Sequence, residues 1–427
     1  MTNIRKIIII CFLSVLIGTL MGFVSAAFLK LLELVSFTRD KYPFIIAFLP
    51  IICIATVFVY NKFGKGSHKG NNLIIESVHK ETHVPLRMAL FSFVFTILTH
   101  LTGGSAGREG TAVQIGGTLA NKLGELFKLN KCDKNMIIMA GISAGFGSVF
   151  GTPLTGLLFG MEMCFIGKLN YEAIFPCFIA SFTADNITRL LGISHTLYSI
   201  KNIPSFNFYT IIMVILSACV FGLVGRLFSV SLYSLKNLYM IKIKNNIIRA
   251  LISSLIILIT LLAFHSFRYE GLSTWMISAG FSGKVHLYDP IMKFILTILT
   301  LGSGLQGGEV TPLFDIGASL GGLIGQSTHI EPSFLAALGL ISVFGCAVNA
   351  PITTIILGIE MFGTEAIPYY AISVLISYYI SGYSGIYSSQ VLAMSKRKPT
   401  QIKEGQTLGA IGNKSLIKKF LLKYNKL

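Results

Sequence analysis

The chain has 427 residues, of which 53% are hydrophobic and only 12% are charged. Soluble domains carry roughly 25% charged residues, so the composition excludes an ordinary soluble protein and predicts an integral membrane protein. The 35 basic residues outnumber the 18 acidic ones, for a formal net charge of +17. The basic residues gather near segment ends and in the C-terminal tail without interleaved aromatic residues, which favours lipid-facing cytoplasmic segments over a nucleic-acid-binding surface.

The first apolar segment, residues 4–34, contains Arg5 and Lys6 at its start. It is longer than the roughly 7–15 residues of a signal-peptide core and long enough to span a bilayer. We therefore interpret it as an uncleaved transmembrane helix. Basic residues at the N-terminus, in 62–69 and after residue 396 predict that both termini are cytoplasmic in a multi-pass protein of the cell membrane.

Apolar segments of two lengths follow along the chain. The full-length ones are residues 43–63, 171–191, 207–237, 248–266 and 366–382. The short ones, broken by glycine or proline, are residues 71–80, 86–102, 109–126, 135–150, 153–166, 287–302, 311–326, 333–347 and 351–362. Segments this short do not cross a bilayer alone, so they predict half-helices that meet inside the membrane.

Two halves of the chain contain similar segments about 200 residues apart. Residues 114–119 resemble 315–320, and residues 153–163 resemble 351–361. Matching interrupted segments in two halves are typical of transporters with a binding site near the bilayer midplane. The sequence therefore predicts an all-α polytopic membrane protein with an inverted-topology repeat.

The polar link near residues 200–206 divides these halves. We assign residues 1–200 to the first repeat half, 207–396 to the second, and 397–427 to a basic cytoplasmic tail. The halves are expected to form one integrated membrane domain because neither completes a site alone.

Polar or acidic residues stand at the start of three apolar segments, in G-N-N-L at 70–73, G-R-E-G-T at 107–111 and G-G-E-V-T-P at 307–312. Carboxylates in hydrocarbon are functional candidates by default, and helix N-termini attract anions. This pattern predicts an anion pathway. Helix capping by Glu109, Glu309 and Thr311, and a turn at Asn71, are the structural alternatives.

These motifs together resemble the CLC chloride channels and transporters over nearly the full chain, most closely their fluoride-exporting branch. Residues 107–111 are similar to the family's G-R-E-G-P, and residues 308–312 to its G-x-F-x-P. The resemblance implies that Glu109 is the gating and proton-carrying carboxylate, and that the protein is a homodimer with one pathway per subunit. Tyr387 falls where the family has its central tyrosine, with Tyr383 as an interfacial alternative.

Departures from the chloride-handling pattern favour the fluoride branch. Asn71 replaces the serine of G-S-G-I-P, and Val310 replaces a phenylalanine between Glu309 and Thr311. Where chloride/proton exchangers have a second glutamate, this chain has Met163. We expect proton-coupled fluoride export, with a chloride/proton antiporter or a passive anion channel as the alternative.

The chemistry of fluoride agrees with this residue set. A small, strongly hydrated anion needs short hydrogen bonds, which an amide, a hydroxyl or a protonated carboxyl donates. Since Met163 does not titrate, protons and anions are expected to share the route past Glu109. Glu162 and Glu360 recur at one repeat position and are interpreted as structural. The motifs of metal-dependent and serine enzymes do not occur in the sequence, so no enzyme activity, metal or cofactor is expected.

Overall fold

The computed structural model describes residues 3–80, 82–196, 198–396 and 402–411. Sixteen α-helices lie within these ranges: α1 (Asn3–Lys41), α2 (Leu49–Phe63), α3 (Asn71–Lys80), α4 (Arg87–Leu101), α5 (Glu109–Leu126), α6 (Lys131–Phe150), α7 (Pro153–Glu162), α8 (Ile174–Leu190), α9 (Phe208–Lys242), α10 (Asn246–Ala263), α11 (Trp275–Ser282), α12 (Tyr288–Ser303), α13 (Val310–Thr328), α14 (Pro332–Val348), α15 (Pro351–Phe362) and α16 (Ile367–Ile380). Short 3₁₀ helices cover Pro43–Phe48, Ser67–Lys69, Tyr171–Ala173 and Phe267–Tyr269. A two-residue parallel pair joins β1 (Phe165–Ile166) to β2 (Val391–Leu392).

Long and short helices alternate much as the apolar segments predict, and the all-α polytopic fold is confirmed. In the described part of the chain, four helical stretches are long and apolar enough to cross a membrane, namely Ile4–Lys41, Pro43–Phe63, Phe208–Lys242 and Asn246–Ala263. Among the short segments, residues 71–80, 109–126 and 351–362 coincide with α3, α5 and α15. The many helices too short to span alone pack around one large core.

Two segments predicted to be full-length are shorter. Residues 366–382 form only the 14-residue α16, which ends before Gly382, a glycine with φ +61°. Residues 171–191 begin as a 3₁₀ turn, and the 17-residue α8 follows. Backbone geometry at these ends, rather than hydrophobicity, sets the helix lengths.

The two repeat halves pack their central helices in the same way. A Cβ atom on Gly116 of α5 would overlap the carbonyl oxygen of Gly141 of α6. A Cβ atom on Gly317 of α13 would likewise overlap the carbonyl oxygen of Gly339 of α14. Glycine is therefore required at both crossings, because the helix backbones touch there.

Two glutamates tie the halves together by capping each other's half-helices. Glu162, the last residue of α7, accepts hydrogen bonds from the backbone N–H (2.8 Å) and the Oγ1 (2.6 Å) of Thr353 in α15. Glu360 of α15 accepts the same two bonds from Thr155 of α7, at 2.8 and 2.7 Å. These carboxylates satisfy N–H groups that a helix start leaves unpaired, and they face its positive dipole end.

Part of the segment assigned to the basic tail packs on the membrane domain. The N–H of Gly405 donates to the carbonyl of Leu392 (2.7 Å), and that of Leu408 to the carbonyl of Gln390 (3.0 Å). Leu408 also packs on Ile166 and Leu392. Residues 397–401 and 412–427, which hold most of the tail's lysines, lie outside the described residues.

The reciprocal caps predict a stability effect. Glu162→Gln and Glu360→Gln should each lower the stability of the purified protein by about 1–2 kcal/mol, because an amide lacks the negative charge and the second acceptor oxygen. Thermal unfolding in detergent measures this loss. Glu365→Gln, an exposed glutamate in the following loop, is the matched control. Equal melting temperatures for all three variants and the parent would contradict the capping role.

Candidate functional site

The loops that precede α5 and α13 meet at the centre of the protein. Gly107 and Gly308 exchange two backbone hydrogen bonds, each of 2.7 Å, in an antiparallel bridge. Gly107 lies two residues before Glu109, and Gly308 lies one residue before Glu309. Both glutamates are predicted site residues. The bridge therefore brings the two acidic motifs, which are 200 residues apart in sequence, to one place.

Asn71, at the start of α3, lies near the place where these two loops meet. A Cβ atom built on Gly110 would lie 3.0 Å from Glu309 Oε2 and 3.1 Å from Asn71 Nδ2. Both polar atoms thus approach the first turn of α5 closely because Gly110 has no side chain. Three helix starts, one each from α3, α5 and α13, meet around this point.

The Glu109 carboxylate is bound to the helix start of the opposite half. Its Oε2 accepts hydrogen bonds from Thr311 Oγ1 (2.5 Å) and from the Thr311 N–H (3.2 Å). Its Oε1 accepts a bond from Arg108 Nε (3.3 Å). The Glu109 side chain is 1% exposed, whereas that of Arg108 is 25% exposed. A buried carboxylate here occupies donors that suit any small anion.

Two separate cavities reach the predicted site residues. The first, of about 380 Å³, is lined by Glu109, Arg108, Thr311 and His195 among others, and is named the Glu109 cavity. The second, of about 270 Å³, is lined by Asn71, Glu309 and Tyr387 among others, and is named the Asn71 cavity. Among the described residues, the two share no lining residue. The Gly107–Gly308 bridge and the helix starts lie between them.

The Asn71 cavity contains buried polar atoms without a hydrogen-bond partner in the described part of the chain. They are both amide atoms of Asn71, Oε2 of Glu309 and the hydroxyl of Tyr387. Asn71 is 4% and Tyr387 1% exposed. Buried polar groups are almost always paired in proteins, so a cluster of unpaired ones points to a ligand.

Not all predicted residues line this site. Tyr383 lines a different, smaller pocket and packs near Leu408, so Tyr387 is the tyrosine of the Asn71 cavity. Val310 is 1% exposed, packs in the main core and lines neither cavity. Its apolar side chain fills space at the helix start and makes no polar contact.

The sequence analysis missed the basic residues of the Asn71 cavity. Lys69, Lys236 and Arg249 line it, and Lys236 interacts electrostatically with Glu309. Lys236 lies in the last turns of the long helix α9, where a basic residue looks like an ordinary membrane-interface anchor. Only folding shows that these cations surround a cavity, where they attract anions.

Basic groups also surround the Glu109 cavity. Arg108 and Arg189 line it together with His195, whose loop connects α8 to α9. Burial lowers the pKa of His195 to about 4, and Arg108 acts in the same direction. The imidazole is therefore neutral near pH 7, and the arginines supply the positive charge of this cavity.

Comparisons with known proteins identify the family to which the chain is related. A family model described as voltage gated chloride channel matches residues 52–382. A chloride/fluoride channel protein of Pseudomonas syringae pv. tomato is 39% identical over 388 residues, covering 89% of this chain and 86% of that protein. An H(+)/Cl(-) exchange transporter ClcA of Vibrio cholerae is 26% identical over 382 residues, covering 82% of this chain and 81% of that protein.

A solved structure is similar over almost the whole chain. The crystal structure of a CLC-type fluoride/proton antiporter matches with a TM-score of 0.88 and 36% identity, covering 91% of this chain and 99% of that one. The similarity therefore extends over most of the fold.

The bond between Thr311 and Glu109 predicts a change in reactivity. Thr311→Val removes a hydrogen bond to a charged group, worth about 1.5–3 kcal/mol, and keeps the side-chain shape. Glu109 should then leave this position more often, and its labelling by a hydrophobic carbodiimide should accelerate at least about tenfold. Peptide mass spectrometry measures the labelling rate.

Thr274→Val is the matched control, since Thr274 lines the same cavity and is exposed. An unchanged Glu109 labelling rate in Thr311→Val, or equal acceleration in both variants, would show that Thr311 does not hold the carboxylate.

Proposed function

This chain belongs to the CLC family of voltage gated chloride channels, and on that premise we propose that it exports fluoride across the cell membrane in exchange for protons. The proposal is supported by the names of two relatives, one a chloride/fluoride channel protein and one a fluoride/proton antiporter. Members of the family are transporters and channels rather than enzymes. The transported ions and membrane lipid are therefore the expected partners.

The observation that carries the proposal is the set of unpartnered buried atoms in the Asn71 cavity. An amide and a phenolic hydroxyl donate hydrogen bonds, and a carboxyl group donates one when protonated. Asn71, Tyr387 and Glu309 supply these three groups within one cavity. Fluoride, a small anion and the conjugate base of a weak acid, is suited to such short and partly proton-shared bonds.

Glu109 is proposed as the gate and the proton carrier. Its ionised carboxylate holds the Thr311 N–H and hydroxyl, which are the donors that a passing fluoride ion needs. Protonation removes the attraction of Glu109 to Arg108 and to the helix dipole. The neutral side chain then leaves, and an anion takes its place on the same donors. Val310, the first residue of the same helix, is buried.

Proton transfer by this route needs no second titratable residue at position 163. Met163 is fully buried in the core and carries no ionisable group. In the proposed cycle, the proton and the fluoride ion both pass Glu109, in opposite directions. Competition between carboxylate and anion for one set of donors couples their movements.

Assembly and orientation are part of the proposal. We expect a homodimer with one pathway in each subunit and both termini in the cytoplasm. The long helices α1 and α9 carry many exposed apolar side chains that suit contact with lipid or a second subunit. The basic residues after 396 suit a cytoplasmic, anionic lipid surface.

The alternative is a chloride/proton antiporter or a passive anion channel of the same fold, favoured by the similarity to an H(+)/Cl(-) exchange transporter. Liposomes loaded with equal fluoride and chloride separate these functions when each efflux and the lumenal pH are followed after the membrane potential is dissipated. Faster fluoride efflux with matching proton uptake supports the exporter. Comparable or faster chloride efflux supports the alternative, and fluoride efflux without proton uptake supports a channel.

A Glu109→Gln variant tests the proton carrier. The amide keeps the size of the side chain but takes up no proton, so fluoride-driven proton uptake should fall by at least about 100-fold, a typical loss for a proton-transfer group. Lumenal pH and fluoride efflux are recorded together in liposomes. Proton uptake at the parental rate and ratio would rule out Glu109 as the carrier.

Asn71→Ser tests selectivity. Serine has one donor and a shorter reach than the Asn amide, so the ratio of fluoride to chloride transport should fall by about tenfold, the effect of one hydrogen bond of roughly 1.5 kcal/mol. Asn61→Ser alters an exposed residue of the same cavity and is the control. A ratio that stays at the parental value in Asn71→Ser would exclude the amide as a selectivity element.

A further inference from the structure

A buried ion pair lies beside the Glu109 binding site, and the transport cycle proposed above does not use it. Lys293 of α12 and Asp315 of α13 approach to 3.5 Å, and both side chains are 0% exposed. Asp315 is one helical turn beyond Thr311, the residue that holds Glu109. Positions four residues apart lie on the same helix face, so Asp315 stands behind the gate.

The same position in the other repeat half is neutral. Lys293 is the sixth residue of α12 and Asp315 the sixth of α13, while Ser92 and Gln114 are the sixth residues of α4 and α5. Ser92 Oγ donates a 2.7 Å hydrogen bond to Gln114 Oε1. One half therefore joins its two helices by a neutral hydrogen bond, and the other half by two opposite charges. Packing alone does not require charges here.

Lys293 is bound as an ammonium ion. Its Nζ donates to the carbonyl oxygens of Gly271 (2.9 Å), Leu272 (3.2 Å) and Tyr269 (3.5 Å). The Gly271 carbonyl also accepts the N–H of Ala106 (3.3 Å), in the loop that leads to Glu109. A buried ammonium ion needs a counter-charge, and Asp315 supplies it.

Asp315 contributes charge rather than hydrogen bonds. Neither of its carboxylate oxygens has a hydrogen-bond partner in the described part of the chain. Besides Lys293, the ionised Glu109 carboxylate interacts electrostatically with Asp315. Two buried carboxylates that repel each other favour the protonated state of one of them. The Lys293 ammonium ion, 3.5 Å away, stabilises the charge of Asp315 against the cost of burial.

Other ionisable groups face this pair and the gate. Tyr198 interacts with Asp315 from the loop between α8 and α9, where His195 also lies. Arg108 contacts Glu109 directly, and Arg39 of α1 and the buried His100 of α4 interact electrostatically with Lys293. Both arginines stay charged at every pH of interest, and Tyr198 and His195 are neutral near pH 7. Asp315 therefore opposes Arg108 at Glu109, and Glu309, which lies close to Gly110, is a second carboxylate near the gate.

We propose that Asp315, held in its charged form by Lys293, is a positioning residue that sets the pH at which Glu109 takes up the transported proton. The inference rests on the proposed fluoride/proton exchange and deepens it. It assigns to this ion pair the regulation of proton loading at the gate. In the other half, the neutral Ser92–Gln114 pair joins the two helices without charges that could act on a gating carboxylate.

The test compares pH profiles of fluoride-driven proton uptake in liposomes for D315N, K293Q and the double variant K293Q/D315N. D315N leaves Lys293 uncompensated and should move the profile about one pH unit toward acid. K293Q leaves Asp315 uncompensated and should move it toward alkaline pH. The double variant should show a smaller acid shift, because it removes the negative charge of Asp315, which interacts with Glu109, together with the positive charge that opposes it.

The double variant also keeps the test valid if a single variant fails to fold, since it leaves no unpaired buried charge. D133N is the matched control, because Asp133 is a nearly buried carboxylate that pairs with Lys6 at 2.8 Å in another region. Its profile should equal the parental one.

Opposite shifts in the two single variants, or an acid shift in the double variant, support the proposal. Parental profiles in variants that fold and transport would overturn the proposal and assign the ion pair to structure alone. Shifts of all variants in one direction, with D133N shifting as well, would also overturn it. Failure of the parental protein to couple fluoride to protons would instead refute the proposed function, and that result is obtained before any variant is made.

Discussion

The structure depends on carboxylates of one repeat half that bind helix starts of the other. Glu109, Glu162 and Glu360 each accept hydrogen bonds from the backbone N–H and the hydroxyl of a threonine that is the second or third residue of a helix. Inside a bilayer, an unpaired helix start and an unpaired carboxylate are both costly. Each therefore satisfies the other, and short helices become stable at membrane depth.

The repeat symmetry predicts a fourth contact between a carboxylate and a helix start, in which residue 310 would bind the start of α5. This contact is missing because residue 310 is a valine. Val310 is the first residue of α13, as Glu109 is of α5, and Gly110 is the second residue of α5, as Thr311 is of α13. Around Gly110 lie the amide of Asn71 and the carboxyl of Glu309. The start of α5 is thus left to groups from other motifs, at the cavity that holds the unpartnered polar atoms. The proposed anion site lies at this point, where the repeat symmetry is broken.

The number of carboxylate oxygens that bind the opposite helix start differs between the proposed gate and the two structural caps. Glu162 and Glu360 bind backbone N–H groups through both carboxylate oxygens. Glu109 reaches the helix start through one oxygen only, and its other oxygen contacts a partly exposed arginine. The same chemical group therefore binds a helix start with both oxygens at two places and with one oxygen at the third, which is where the proposed exchange needs it to move.

Much of the helical framework was predictable from the sequence, because hydrophobic runs and Gly/Pro interruptions are local properties. Residues 71–80, 109–126 and 351–362 are helices with the predicted bounds. The short helix α11 was not predicted, since eight residues carry too little periodic signal. The acidic motifs and Asn71 were visible as polar helix starts in an apolar chain.

The sequence by itself determined that this is a polytopic helical membrane protein with two related halves and costly acidic residues at half-helix starts. The tertiary structure alone decided that Tyr387 rather than Tyr383 lines the Asn71 cavity, that Lys236 faces Glu309, and that Lys293 pairs with Asp315. Partners in these contacts come from different helices, and their meeting depends on how backbones cross. Hydrophobic pattern sets which segments enter the membrane, whereas packing and charge pairing set which side chains meet there.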